Sequence, residues 1–248
     1  MELMKTGQGM GESGMKGSRF RIFVMIWALA AFMAVWAGSA AAQTPTPEER
    51  VAALKGSLAK SQELLRQYEW IETTVVSIKD EEKSRQVNRC YHGADGSVQK
   101  LPVTTPPPAE KKRGIRGMIA ERKKADMTDY MKSAVGLVKS YIPPEPARIE
   151  ASVNAGKMSI TPAGPRVRLD FRDYLKPGDT LSIEIDIAKN TLLGLRVATW
   201  LKDHKDTVTL VSSFGTLNDG ATYPAEINLS APSESLKVKV TNSGYRKQ

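Results

Sequence analysis

The sequence has little of what enzymes commonly use for chemistry. It contains one cysteine, Cys90, and two histidines, His92 and His204, in 248 residues. A single cysteine excludes an intramolecular disulfide, and two histidines exclude a histidine-rich metal site. The chain also lacks a P-loop of the Gly-x-x-x-x-Gly-Lys-Ser/Thr type and a Gly-x-Ser-x-Gly nucleophile turn. We therefore predict a protein that is not an enzyme and that binds no metal or other cofactor.

Two short arrangements could still suggest catalysis. Cys90 and His92 are two residues apart, a spacing that puts both side chains on one face of a strand. A small buried thiol is the commoner role of a free cysteine, so we favour that role here. The sequence Asp203-His204-Lys205-Asp206 lies between two predicted strands with no nucleophile nearby, which favours a charged hairpin tip over a catalytic group.

The N-terminal residues have the pattern of an export signal. Three basic residues between positions 16 and 21 precede an uncharged apolar run, Ile22–Ala37, and small residues follow at Gly38–Ala42. This is the arrangement of a secretory signal peptide cut near Ala42-Gln43. The run is shorter than the roughly 20 residues of a spanning helix, which disfavours the alternative of a retained membrane anchor. We predict that residues 1–42 are a signal peptide with an N-terminal extension, that 43–47 are a flexible linker, and that 48–248 form one periplasmic domain.

The charge is strongly positive, with a formal net charge of +9. A basic exported protein attracts anionic lipid or an acidic envelope protein, whereas nucleic acid is not expected as a partner in the periplasm. We expect the protein to be a monomer. The positive charge is concentrated after the Pro106-Pro107-Pro108 connector, in a basic segment made of Lys111, Lys112, Arg113, Arg116, Arg122, Lys123 and Lys124.

Most of the chain predicts short β-strands. In residues 180–187, Leu181, Ile183 and Ile185 alternate with Ser182 and Glu184, which indicates one apolar and one polar face. Six strands are predicted over 166–244, and further strands over 68–78, 85–91, 98–103, 148–153 and 157–161. About ten or eleven strands joined by short turns favour a strongly curved antiparallel sheet.

Two helical segments complete the prediction. The first runs from Glu48 to about Gln67 and has an apolar stripe. The second, from about Ile115 to Tyr141, contains Met127 and Met131 at helical spacing and ends before Pro143. This segment has two interpretations: a mobile lid over the sheet, or an ordinary amphipathic helix packed on the apolar face. We predict an α+β fold, in which a large curved antiparallel sheet forms a half-barrel and helices cover its concave face.

The order of these elements resembles a known family. A signal peptide, one helix ending near Tyr68 and Trp70, a strand pair, a helical insertion and a long meander are similar to the periplasmic lipoprotein-carrier superfamily. The resemblance covers most of residues 43–248 in the order of elements. It implies a half-barrel sheet with helices plugging the concave face, and an exported binding protein that holds acyl chains or another apolar ligand between them.

Two functions follow as hypotheses. The first is a periplasmic, non-enzymatic binding protein with a lipid or other apolar ligand between sheet and helices. Its predicted ligand-binding residues are Trp70, Met118, Met127, Met131, Val138, Leu181, Ile183, Ile185, Leu193, Leu195 and Val197. The second is a cell-envelope module with a solid core, which docks on anionic lipid or a protein partner through the basic segment.

Overall fold

The computed structural model describes residues 47–103 and 115–248. The predicted signal peptide, most of the predicted linker and Lys111–Arg113 lie outside the described residues. The helices are α1 (Pro47–Leu65), α2 (Ile115–Lys139) and α3 (Pro146–Asn154). The strands are β1 (Tyr68–Ile78), β2 (Glu81–His92), β3 (Val98–Pro102), β4 (Met158–Ala163), β5 (Arg166–Arg172), β6 (Thr180–Asp186), β7 (Thr191–Trp200), β8 (Thr207–Thr216), β9 (Thr222–Ala231) and β10 (Leu236–Lys247). None of these three helices is long and apolar enough to cross a membrane.

The ten strands form one antiparallel sheet, in the order β3-β2-β1-β10-β9-β8-β7-β6-β5-β4. Short turns join consecutive strands within β1–β3 and within β4–β10, and they place each of these strands beside the next one. The sheet does not close, so β3 and β4 are its two edges, and the chain passes from one edge to the other through α2 and α3. The structure confirms the predicted α+β class, with a large curved antiparallel sheet and helices packed on it.

One predicted strand is wrong. Residues 148–153 belong to helix α3, which starts at Pro146. Proline is favoured in the first turn of a helix, because its missing N–H has no partner there. Ile149 and Val153 suit a strand in their alternation with charged residues, but they are also four residues apart, the spacing of one helical face. In the structure this segment is helical, and Ile149 and Ser152 are its buried residues.

A second correction concerns Leu193. Alternation places it on the same face as Leu195 and Val197. In the structure Glu184 pairs with Gly194 but Ile185 pairs with Leu192, so β7 has one extra residue at this point. Because of such a bulge, the side chains beyond it lie on the face opposite to the one that strict alternation predicts. Leu192, and not Leu193, therefore packs against the core, while Leu193 lines a cavity on the opposite face.

The core lies between the helices and one face of the sheet. Helix α1 packs on β7 and β9, α2 packs on β8, and α3 packs on β5. Burial of each large aliphatic side chain contributes about 1.5–3 kcal/mol, so this layer is the main source of stability. Its buried residues are Tyr130, Ala134, Val138, Tyr141, Ile149, Leu169, Phe171, Tyr174, Leu181, Ile183, Ile185, Leu195, Val197, Val208, Leu210, Leu229, Ala231 and Leu236.

Tyr130 on α2 and Tyr141, two residues after the end of α2, attach this helix to turns at one end of the sheet. The Tyr141 hydroxyl donates to Asp179 Oδ2 at 2.6 Å, in the loop before β6. The Tyr130 hydroxyl donates to Asp206 Oδ1 at 2.6 Å, at the start of β8. Both carboxylates are buried. These bonds fix the C-terminal part of α2 on the sheet, which favours the packed-helix interpretation over a lid for this part.

The Tyr130–Asp206 bond predicts a pH dependence of stability. Burial, and then the bond to Asp206, raises the pKa of Tyr130 to about 12. Burial opposes ionisation of Asp206, but its bonds from Ser233 and Tyr130 outweigh this and lower its pKa. The Tyr130 contribution is therefore complete below its unfolded pKa of about 10 and is lost as pH rises through about 12. The Asp206 contribution is present above its unfolded pKa and is lost as pH falls through its lower folded pKa.

We expect the stability difference between wild type and Tyr130→Phe, measured by urea unfolding, to shrink between about pH 10 and 12. The difference should stay constant from about pH 6 to 9, where neither group titrates. A difference that does not change up to about pH 12 would contradict the assignment.

Candidate functional site

The helices cover only part of the sheet face on which they pack. On β1 and β10, Val76 and Val238 pack against the edge of the core. The next pair along these strands, Thr74 and Val240, is half-buried, and Gln86 beside it on β2 is exposed. Alternation puts these side chains on the same face as the core. We call Thr74, Val240 and Gln86 the open region.

A row of polar side chains borders the open region. Asn88, Glu72 and Asn242 are cross-strand neighbours on β2, β1 and β10, so they share this face. Lys100 Nζ donates to Glu72 Oε1 at 2.6 Å and to Oε2 at 2.7 Å. Asn242 is 8% exposed, and its amide donates to the Pro224 carbonyl at 2.8 Å. Its Oδ1 atom has no hydrogen-bond partner among the described residues. Buried acceptors usually have a donor, so a ligand with a donor group would fit here.

An aromatic cluster follows the polar row. It is formed by five rings, those of Tyr68, Trp70, His92, Tyr223 and Tyr245. Trp70 and Tyr245 are stacked at 5.6 Å with 10° between their planes, and Tyr223 lies 4.3 Å from Tyr245. Burial, and then the neighbouring Tyr223, raises the pKa of Tyr245. The cluster therefore supplies an uncharged, largely apolar wall.

Two glycines position this wall. Gly244 has a φ of +63° and lies in the bulge where β10 carries an extra residue opposite β1. The left-handed region suits glycine, and the bulge lets Tyr245 stack on Trp70. A Cβ atom at Gly215 would lie 2.9 Å from the ring of Tyr223. Gly215 therefore leaves the space that this ring occupies beside Tyr245.

The residues that could suggest catalysis are buried or packed as parts of the structure. Cys90 is fully buried, and burial, followed by the nearby Glu72, raises the pKa of its thiol. A nucleophilic cysteine needs the opposite shift. Burial lowers the pKa of His92, whose ring packs 5.4 Å from Trp70. Asp206 is the buried partner of Tyr130 described above. Within residues 47–103 and 115–248, no three His, Cys, Asp or Glu side chains are grouped as metal ligands.

The predicted ligand-binding residues do not lie together in one site of the structure. Six of them are buried in the core under the helices: Val138, Leu181, Ile183, Ile185, Leu195 and Val197. Met127 and Met131 are half-buried against that core. Of the predicted residues, only Trp70 lies near the open region, in the aromatic cluster on the other side of the polar row. Leu193 is on the other face, and the side chain of Met118 lies outside the described residues.

Sequence reasoning missed the polar row and two of the tyrosines. Alternation could have placed Glu72 on the face of Trp70 and Thr74, because the three are two residues apart. It could not have placed Tyr223 and Tyr245, because bulges in the pairs β8–β9 and β1–β10 intervene. Nothing in the local sequence marks Asn242 as buried.

The basic segment is described only in part. Residues 121–126 at the start of the described side chains of α2 are all exposed, and they include Arg122, Lys123 and Lys124. No described acidic residue forms an ion pair with any of these three. The side chain of Arg116, like Lys111–Arg113, lies outside the described residues.

Comparisons with known proteins give a distant structural likeness. No protein-family model matches the sequence, and no curated protein matches it. The crystal structure of a DUF1329 family protein from Desulfovibrio piger matches with a TM-score of 0.33 and 8% identity, over 79% of this chain and 92% of that chain. That protein also has a large antiparallel sheet. At this similarity the likeness carries no argument about function.

Proposed function

We propose that the protein is an exported, non-enzymatic binding protein of the lipoprotein-carrier type, which holds one amphipathic ligand on the open region. The apolar part of the ligand lies on Thr74 and Val240 and extends toward the edge of the core at Val76 and Val238. Its polar end lies at the row of Asn88, Glu72 and Asn242. The export signal and the order of elements support a place in the periplasm.

One observation carries this proposal. The face that the helices seal over β5–β9 continues onto β10, β1 and β2, where Thr74 and Val240 are half-buried and Gln86 is exposed. A fully sealed face would leave no room for a ligand, since protein interiors are close-packed. Ligand sites commonly combine an apolar wall with a few placed polar groups. Thr74 and Val240, with the core edge at Val76 and Val238, supply the apolar wall, and the row of Asn88, Glu72 and Asn242 supplies the polar groups.

The polar row also indicates the chemistry of the ligand. Glu72 is neutralised by Lys100, so the row has no net charge to offer a strongly charged head group. Asn242 Oδ1 and the Glu72 oxygens accept hydrogen bonds. A neutral head group with hydroxyl or amide N–H donors therefore fits better than a phosphate.

The test is native mass spectrometry of protein expressed with its own first 42 residues and purified from the periplasm. We expect a co-purifying lipid mass on the wild type. Val240→Trp should weaken the affinity for the lipid about ten-fold, a change of about 1.4 kcal/mol, because the indole fills the open region. The loaded fraction should fall accordingly. Lys239→Trp is the matched control, since this neighbouring residue is exposed on the opposite face.

Two outcomes would overturn the proposal. One is a wild-type protein that carries no lipid in repeated preparations and takes up none when laurate or dodecyl glucoside is added. The other is a lipid load that Val240→Trp and Lys239→Trp leave equally unchanged. Uptake of laurate in preference to dodecyl glucoside would reject only the neutral head group.

The second candidate function is docking on anionic lipid through the basic segment. The exposed run 121–126, with its three cations, favours it. The same preparations, mixed with vesicles containing phosphatidylglycerol, test this candidate. Binding that disappears when Arg122, Lys123 and Lys124 are changed to Gln would support it, and unchanged binding would reject it.

A further inference from the structure

The face of the sheet opposite the helices has a cavity of its own. Its volume is about 490 Å³, and β5, β6, β7 and β8 line it. This volume is within the range of small-molecule sites. The cavity forms where β7 bulges at Leu193 and where Gly194 has no side chain between Glu184 and Ser213, its neighbours on β6 and β8.

The charges around this cavity are not all paired. Arg168 Nε lies 3.0 Å from Asp170 Oδ2, and an arginine outside the cavity, Arg166, lies 3.9 Å from Glu184 Oε1. Arg196 lies between Ser182 and Val211 in the register, and no described carboxylate is within 4.0 Å of its guanidinium. Asp170 and Glu184 are therefore each paired with an arginine. Arg196 is available to bind an anion.

Apolar side chains lie beside Arg196. Leu193 lines the cavity because of the bulge, and Val211, which is 38% exposed, lines it from β8. Exposure of large aliphatic groups to water raises the free energy, and covering them with an apolar group lowers it. A guanidinium can bind a carboxylate through two parallel hydrogen bonds.

We propose that this cavity is a second binding site, which takes a small carboxylic acid with a short apolar chain. The carboxylate pairs with Arg196, and the chain covers Leu193 and Val211 in the space that Gly194 leaves open. The site is independent of the open region, because the two lie on opposite faces of the sheet.

The test is titration of the whole protein with hexanoate, followed by backbone amide shifts in NMR. We expect saturable shifts confined to the strands that line the cavity, β5, β6, β7 and β8. Arg196→Gln should weaken the affinity about ten-fold or more, the usual effect of losing one charge-assisted contact. Arg172→Gln is the matched control, because Arg172 is exposed on the same face but outside the cavity.

A filling variant gives an independent readout. A Cβ atom at Gly194 would lie 3.5 Å from the Ser212 carbonyl oxygen and 3.7 Å from Glu184 Cβ, which are ordinary contacts. Gly194→Ala should therefore fold as the wild type does, and Gly194→Val should fold and lose hexanoate binding. Hexylamine, with the same chain and the opposite charge, should cause no shifts at these strands.

Three results would overturn the second site. They are the absence of saturable hexanoate shifts, equal affinities of Arg196→Gln and Arg172→Gln, and equal binding of hexylamine. Val240→Trp separates this inference from the proposed function, because it blocks the open region and should leave the hexanoate shifts at β5–β8 unchanged.

Discussion

Asp179→Asn is expected to destabilise the protein by about 3 kcal/mol or more, since it breaks a buried network of charge-assisted hydrogen bonds. Asp179 is 1% exposed. Its carboxylate accepts the backbone N–H groups of Tyr174, Leu175 and Lys176 at 2.5–3.0 Å, in addition to the Tyr141 hydroxyl. An amide supplies one acceptor oxygen in place of two and turns an N–H₂ group toward donors.

Urea unfolding followed by far-ultraviolet circular dichroism measures this effect. Tyr141→Phe removes one of the four bonds to Asp179, together with the 2.8 Å hydrogen bond between the Tyr141 and Thr199 hydroxyls, and should cost about 1–2 kcal/mol. Asp129→Asn is the control, because this carboxylate on α2 is exposed and pairs only with Lys132, at 3.3 Å, among the described residues. Surface pairs contribute at most about 1 kcal/mol. An Asp179→Asn variant as stable as Asp129→Asn would show that the network does not hold α2 and the β5–β6 loop in place.

Leu181→Ala is expected to cost about 3–5 kcal/mol and to leave the lipid load of the folded protein unchanged. Leu181 is 0% exposed in the centre of the core. Its truncation leaves a cavity that the surrounding helices and strands only partly fill. Because typical domains are stable by only about 5–15 kcal/mol, this is a large share of the total.

The same urea experiment and native mass spectrometry measure the two parts of this prediction. Ile160→Ala, on edge strand β4, is the control: Ile160 is 40% exposed, so its truncation should cost under about 1 kcal/mol. If folded Leu181→Ala lost its lipid while Val240→Trp kept it, the ligand site would be under the helices at the core and not at the open region.

Local patterns predicted much of the fold. Strand β1 agrees with its prediction from end to end, because Tyr68–Ile78 is rich in β-branched and aromatic residues and follows a helical pattern directly. Helix α2 ends just before the predicted Tyr141, since Pro143 and Pro144 cannot continue it. The strands of the meander follow from the turns between them. The prediction of a strand over residues 148–153 was wrong, because six residues are too few to distinguish the side-chain period of a strand, two residues, from that of a helix, 3.6 residues.

The candidate site was much less predictable. Alternation assigned Leu181, Ile183 and Ile185 correctly to the inner face, but it does not show what packs on that face. Whether a helix or a ligand covers Leu181 depends on where α2 crosses the sheet, and Tyr130 and Tyr141 determine that position through carboxylates at least 38 residues away in the chain.

The sequence by itself determined the antiparallel meander, most of its apolar and polar alternation, and two of the three described helices, α1 and α2. Each of these depends on neighbours within a few residues, where the side-chain periods of strand and helix act. Only the tertiary structure decided which part of the covered face is sealed and which is open, and on which faces Leu193 and Tyr245 lie. Bulges and the position of α2 decide these points, and both depend on hydrogen bonds between residues far apart in the chain.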